Sequence, residues 1–290
     1  MERYTVRQFM IEFPDDASCL EWLKNYRWAD GILCEKCGRV TKHHLVISRK
    51  SYSCQECGHH VHPTANTMFH KSSTPLTQWF YAVFLMASTR CGISAKQIER
   101  ELGVTYKTAW RMCKLIRDRL ADEGDPFSGE GDIEADETYV GGKTRGGKRG
   151  RGAEKKTPVF GMAQRQGGVK VTVVPDVKRG TVMPILENAI EKGTRVHTDE
   201  FRIYDSLPEK GYKHERIMHG LKIYVNGDVH TNTIEGFWAL VKGGIVGVFH
   251  GVSAKHLQGY LNEYAFRYNH RKDAKPMFWS FLSRVGLKTS

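Results

Sequence analysis

The segment CEKCGRVTKHHLVISRKSYSCQEC, residues 34–57, restricts local folding more than any other part of this chain. It holds two Cys-x-x-Cys pairs with sixteen residues between the inner cysteines. Each pair forms a tight knuckle that aims two sulfurs at one ion, and two knuckles on adjacent turns complete a tetrahedral Zn–S4 shell. Cys34, Cys37, Cys54 and Cys57 are therefore expected to hold one zinc ion. Gly38 and Gly58 follow the second cysteine of each pair, where a knuckle turn needs positive φ. The intervening LVISRKSYS reads as short strands with a turn at Arg49–Lys50. A closed four-thiolate site holds a fold together and leaves no open coordination position, so this zinc is structural and supplies no activity. Cys19, Cys91 and Cys113 read as small core residues. Seven cysteines, an odd count, do not make a disulfide framework and fit a reducing compartment.

Over 290 residues, 44 Lys and Arg against 32 Asp and Glu leave a net charge of +12. That balance calls for a polyanionic partner, either nucleic acid or an anionic membrane surface. The longest uncharged apolar run, Trp79–Ala87, has nine residues, well short of the roughly 18 that span a bilayer. The start, MERYTVRQFMIEFPDD, mixes acids and bases before any apolar stretch, unlike a signal peptide. An intracellular chain is expected.

The middle of the chain is patterned as helix. TQWFYAVFLMAS is apolar all round, as a buried helix would be. In GISAKQIERELGVTYKTAWRMCKLIRDRL, Ser94 and Gln97 form a capping-box pattern, Ile98 and Leu102 an apolar stripe, and Gly103 a stop. Thr105 caps a second helix with Ala109, Cys113, Ile116 and Leu120 on its inner face. Lys107, Arg111 and Lys114 lie opposite, with Tyr106 near the helix start. Helix, Gly turn and basic helix describe a helix-turn-helix that contacts DNA. A plain helical hairpin with a solvated charged face has the same pattern. A ribbon and a helix-turn-helix alone would suit a transcription regulator, so the rest of the chain must decide.

GDIEADETYVGGK alternates as a strand around Ile133, Ala135 and Tyr139, with Asp136 at its middle. An acid there is unfavourable unless it is solvated, paired or bound to a cation. VFGMAQ and VKVTVV are two further strands, TVMPILENAIEKG a helix, and TRVHTDEF a short strand ending at Asp199. Three strands, a helix and a fourth strand follow the order of an RNase H-like sheet. In VHTNTIEGFWALVKGG a buried stripe of Ile234, Trp238 and Val241 leaves Glu235 beside it near the helix start. Each acid also has a dull explanation. Glu235 would partner an Asn232 cap, Asp199 would cap a helix, and Asp136 would pair with an interior base. Asp132, Glu134, Glu137 and Glu200 compete for the same roles, although Glu137 should face away from Asp136 on a regular strand.

The chain resembles bacterial insertion-sequence transposases of the zinc-ribbon DDE type, the ISXO-like group, nearly end to end. The resemblance rests on FPDDASCLEWLKNYRW, the doubled Cys-x-x-Cys, TPLTQWFYAVFLM, DETYVGGK, VHTDEFRIY and TNTIEGFWALVKGGIVGVFHGVSAKHLQGYLNEYAFRYNHR. CEKC has Glu where similar proteins often carry Pro, which leaves the sulfur ligands unchanged. The resemblance implies a multidomain α+β chain. Its parts are an N-terminal helix and zinc ribbon (1–66), a helix-turn-helix region (67–125) and an RNase H-like catalytic domain (126–290). It implies a catalytic triad of Asp136, Asp199 and Glu235 holding two Mg2+ or Mn2+ ions, with Asp136 bridging both. It further implies cleavage of terminal inverted repeats, joining of 3′-hydroxyls to target DNA, a homo-oligomer on double-stranded DNA, and a bacterial cytoplasmic, nucleoid-associated location. Hard oxygen ligands suit Mg2+, and two such ions serve phosphodiester chemistry. Within the basic Gly-rich arm 141–157, Lys143, Arg145, Lys148, Arg149 and Arg151 are expected to touch DNA phosphates.

Overall fold

A computed structural model of the chain describes residues 3–121, 127, 131–141, 156–217 and 230–287. Met1–Leu120 and Lys272–Ser290 form one compact unit, and Ala121–Arg271 forms another.

The first unit opens with α1 (Val6–Glu12) and α2 (Asp16–Arg27), each started by a capping box, Thr5 with Gln8 and Asp15 with Ser18. The ribbon follows. Strand β1 (Ile32–Cys34) pairs with β2 (Arg39–Thr41), and β3 (His43–Val46), β4 (Ser51–Cys54) and β5 (His60–Val61) form an antiparallel sheet. The β3–β4 turn closes on Lys50 at φ 47°, where the sequence indicated it. Helix α3 (Leu76–Ser88) buries Trp79, Phe80, Val83 and Met86 completely. Helix α4 (Ala95–Leu102) starts at Ser94, which accepts from the Gln97 amide, and stops at Gly103 with φ 64°. The capping box is only half formed, because the Gln97 side chain donates to Glu101 instead of reaching back. Thr105 caps α5 (Tyr106–Arg119) by accepting from the Thr108 amide. Ala109, Cys113, Ile116 and Leu120 are all fully buried.

By its contacts, the segment 272–290 groups with the first unit. The last helix, Met277–Gly286, belongs to the first unit, where Phe278 stacks on Tyr4 at 4.6 Å and meets Phe9 and Phe84 edge-on. Its stripe of Phe278, Phe281, Leu282 and Val285 needs an apolar partner, and the aromatic cluster of α1 and α3 supplies one. The ribbon and the helical region likewise share this unit instead of dividing near residue 66. Cys91 is exposed, not a core residue, because α3 ends at Ser88 and the buried period stops with it. Cys19 and Cys113 are buried as expected.

The second unit is built on a five-stranded sheet. Strands β6 (Ile133–Val140), β7 (Thr157–Gln164) and β8 (Val169–Val173) form an antiparallel meander. Helix α6 (Arg179–Ala189) leads to β9 (Arg195–Thr198), which lies parallel to β6 on its other edge. Strand β10 (Lys213–Arg216) adds outside β9, giving the order β10-β9-β6-β7-β8. This is the succession of three strands, helix and fourth strand anticipated from the sequence. Ile133, Ala135, Phe160 and Met162 point toward α6, packing with Val182, Met183, Leu186 and Tyr204. Val140, Val159 and Ala163 point the other way, toward α7 (Asn232–Gly244) and α8 (Ala254–Asn269). The period-2 alternation of a strand thus divides residues 133–140 between two cores.

Candidate active site and zinc ribbon

The parallel register of β6 and β9 pairs Glu134 with His197. Asp136 and Asp199 each lie two residues past that pair, and the charge of Asp199 acts on Asp136. Asp136 is half-buried, and its Oδ2 accepts from the Trp238 indole Nε1 at 3.0 Å. Burial first, and then the charges of Glu137 and Asp199, push its carboxyl up to about 7. Such a group is poised for a cation that restores its charge. Asp199 follows the last residue of β9, and its Oδ1 accepts from the Phe201 amide at 2.9 Å.

Glu235 lies in the first turn of α7, exposed, with Oε1 accepting from the Thr231 hydroxyl at 2.8 Å. The capping residue of α7 is Thr231 and not Asn232, so the simple cap explanation of Glu235 does not hold in its expected form. Ile234, Trp238 and Val241 are buried against the sheet as the stripe required. Trp238 reaches Asp136 because the strand residue opposite Asp136 is Gly161. A Cβ there would stand 2.5 Å from the Trp238 ring. Asp136 thus lies on β6, Asp199 just past the end of β9, and Glu235 on the helix whose Trp238 meets Asp136. Among the described residues, the four ribbon cysteines are the ligand group whose atoms all converge within 4.8 Å; the three acids are not so tightly gathered.

Three of the neighbouring acids are otherwise engaged. Glu137 faces the α6 side, where its Oε2 accepts from the buried Tyr204 hydroxyl at 2.8 Å. Asp132 Oδ2 meets His197 Nε2 at 2.8 Å, Arg165 Nη1 at 3.3 Å and Arg195 Nη1 at 3.4 Å. Burial holds the His197 imidazole below its usual range. Glu134 is completely buried and bonded to Arg165 and to the start of α7. Arg165 lies 31 positions away and the helix amides some hundred, so no local signal announces them. Lys242 lies further along α7; burial lowers its ammonium and the charge of Asp136 opposes that.

In the ribbon, Cys34 and Cys57 sulfurs are 3.6 Å apart and those of Cys37 and Cys54 3.9 Å. A tetrahedral shell with Zn–S bonds of about 2.3 Å sets its sulfurs about 3.8 Å apart, so the four thiols fit the ion. Gly38 and Gly58 have φ of 68° and 71° and close the two knuckles onto Cys34 and Cys54. The Thr41 hydroxyl and the second knuckle's amides draw the Cys54 thiol down to about 6, whereas the neighbouring sulfurs push Cys37 up to about 12.

On α5, Lys107 and Arg111 are exposed and have no carboxylate partner among the described residues. Arg111 leans over the Trp79 ring at 5.9 Å, and Lys96 sits 4.8 Å over Tyr106. Lys114 is tied to Asp118 one turn on, which lowers its availability to a ligand. Lys143, Arg145, Lys148, Arg149 and Arg151 lie outside the described residues.

Comparison with known proteins assigns the class. Residues 128–269 match the ISXO2-like transposase domain, and residues 14–60 match the transposase zinc-ribbon domain. An uncharacterized protein in transposable element ISH50 of Halobacterium salinarum (strain ATCC 700922 / JCM 11081 / NRC-1) is 31% identical over 273 residues, 88% of this chain and 91% of that one. An uncharacterized transposase-like protein of Haemophilus influenzae (strain ATCC 51907 / DSM 11121 / KW20 / Rd) is 34% identical over 101 residues, 35% of this chain and 80% of that one. A crystal structure of a pre-cleavage Mos1 transpososome aligns with a TM-score of 0.30 at 12% identity, over 73% of this chain and 79% of that one. Both family matches are thus to transposase domains. The chain belongs to the zinc-ribbon DDE transposases of the ISXO2-like group.

Proposed function

We propose that this chain is a DNA transposase that binds the terminal inverted repeats of an insertion sequence, cleaves the ends and joins the 3′-hydroxyls to target DNA. The second unit would be its RNase H-like catalytic domain, with Asp136, Asp199 and Glu235 as the catalytic acids. These acids would hold two divalent ions, Mg2+ or Mn2+, which when bound would supply activation of the attacking oxygen and charge neutralisation at the leaving one. Asp136 would bridge both ions, and Asp199 and Glu235 would each hold one. Trp238 steadies Asp136 by occupying Oδ2 from one side, so the carboxylate keeps one orientation. The observation that supports this reading is the Asp136–Trp238 bond, which ties α7, the helix of Glu235, to the strand of Asp136, with the charge of Asp199 nearby.

The ribbon and α4–α5 would bind the element's ends as a helix-turn-helix, with Tyr106, Lys107 and Arg111 toward DNA and Lys114 less engaged. The arm residues Lys143, Arg145, Lys148, Arg149 and Arg151 would add salt-dependent phosphate contacts. The working form would be a homo-oligomer on double-stranded DNA in a bacterial cytoplasm. Among the described residues no single helix is long and apolar enough to cross a membrane. The test is purified protein with labelled element ends and a target duplex, with and without Mg2+. Mg2+-dependent nicking at the ends and transfer to the target are expected; binding without cleavage would leave only a DNA-binding regulator.

A further inference from the structure

We infer that Glu134 is a positioning residue for the reaction: it fixes the start of α7, and with it Glu235 and Trp238, to the strand that carries Asp136. The inference rests on the catalytic reading above.

Helix α7 lacks a local cap, since Thr231 makes no side-chain capping bond. Its free amides are satisfied from elsewhere. Glu134 Oε2 accepts from the Thr233 amide at 2.7 Å and the Ile234 amide at 3.0 Å. Oε1 accepts from the Thr233 hydroxyl at 2.9 Å and from Arg165 Nε at 3.0 Å. Arg165 also donates through Nη2 to the His230 carbonyl at 2.8 Å, just ahead of the helix. A carboxylate is a favourable partner for the positive end of a helix dipole. A fully buried carboxylate is nevertheless an unusual choice, because a Ser or Asp at the cap position would satisfy the same amides without burying a charge.

The location of Glu134 accounts for the choice. It stands two residues before Asp136 and so projects from the same face of β6. Two strand residues advance about 6.6 Å. The helix from Thr233–Ile234 to Trp238 advances about 6–7 Å at about 1.5 Å per residue. Strand and helix are therefore joined at two matched points: Glu134 at the helix start, and Asp136 at Trp238. Glu235 lies between those points. Its distance from Asp136 is thereby set by the strand itself and not by the chain that connects them.

Glu134→Gln tests this, because it keeps the shape and replaces one acceptor by an NH2 that faces donors. Three readouts are taken on the full chain: thermal unfolding, Mg2+-dependent strand cleavage, and hydrogen exchange of the Trp238 indole N–H by NMR. The Trp79 indole, which donates to Ser72 in the first unit, is the internal control. Cleavage per folded molecule should fall about 100-fold, as misplacement by about 1 Å can cause. Half-saturating Mg2+ should rise, and Trp238 exchange should quicken about tenfold while Trp79 is unchanged. Thr233→Val, which removes only one donor to Glu134, should move the same readouts less and serves if the Gln variant does not fold. Lower stability with unchanged Trp238 exchange and unchanged cleavage per folded molecule would overturn the inference. If the wild-type chain cleaves no DNA, the catalytic reading fails, and the Trp238 exchange still decides whether Glu134 sets the helix.

Discussion

Removing the charge at Asp136 should make the metal-free protein more stable while ending its activity. Folding raises this carboxyl from its ordinary 3.8 to about 7. At about 1.4 kcal/mol per pH unit, that shift corresponds to roughly 4 kcal/mol, or about half of that where water still reaches the group. The direction follows from linkage. A folded-state value above the unfolded one means that protonation favours the native state. The associated stability is complete below about pH 4 and is lost as pH rises through about 7. Above that, the native protein without a cation carries a desolvated carboxylate beside Asp199 and Glu137. Asp136→Asn has no proton to lose and keeps an oxygen for the Trp238 indole. In EDTA at pH 8 its melting temperature should exceed that of the wild type by about 4–16 °C, at about 2–4 °C per kcal/mol for a unit of this size. The gap should shrink steadily as pH falls toward 5. Added Mg2+ should close it at pH 8 by raising the wild type alone. Calorimetric melts across pH, paired with strand cleavage, give both halves. If the Asn variant melts below the wild type at pH 8 without metal, or the gap ignores pH, the description of Asp136 as a desolvated acid beside another acid is wrong.

The other predictions concern separate parts of the molecule. Cys54→Ser should remove the single zinc ion measured by elemental analysis and abolish specific end binding, while the second unit still unfolds cooperatively; unaltered zinc content would exclude the site. Gly161→Ala drives a methyl into the Trp238 ring and should destabilise the second unit by about 1–3 kcal/mol, with cleavage lowered as well; wild-type stability in a denaturant titration would contradict the close approach. Arg111→Ala should weaken binding to element ends and make its salt dependence shallower by about one ion. Identical binding isotherms across salt concentrations would return α4–α5 to a plain helical hairpin.

Local features were legible in the sequence because short-range chemistry dictates them. The cysteine spacing and Gly38 and Gly58 marked the ribbon, Ser94, Gly103 and Thr105 the helix ends, and the alternation around Ala135 the strand. The opposite orientations of Asp136 and Glu137 followed from the same alternation. Contacts between distant segments were not legible. A period of two says that Glu134 and Asp136 share a face, but nothing in it says which helix end arrives there. Lys114 looked available although Asp118, one turn on, takes it, a pairing that the sequence does display. Cys91 and the last helix misled for a common reason: an apolar pattern identifies what wants burial and not where the burial occurs.

The return of the last helix to the first unit makes the second unit an insertion, enclosed by chain on both sides. Ala121–Arg271 is contiguous, so all of its strands and helices are available before the final segment is synthesised. The unit that carries the ribbon must wait for Phe278, Phe281 and Val285 to emerge and complete its aromatic cluster. A frameshifted product, or one ended before Met277, would keep Asp136 in its sheet but leave the aromatic cluster of the first unit incomplete.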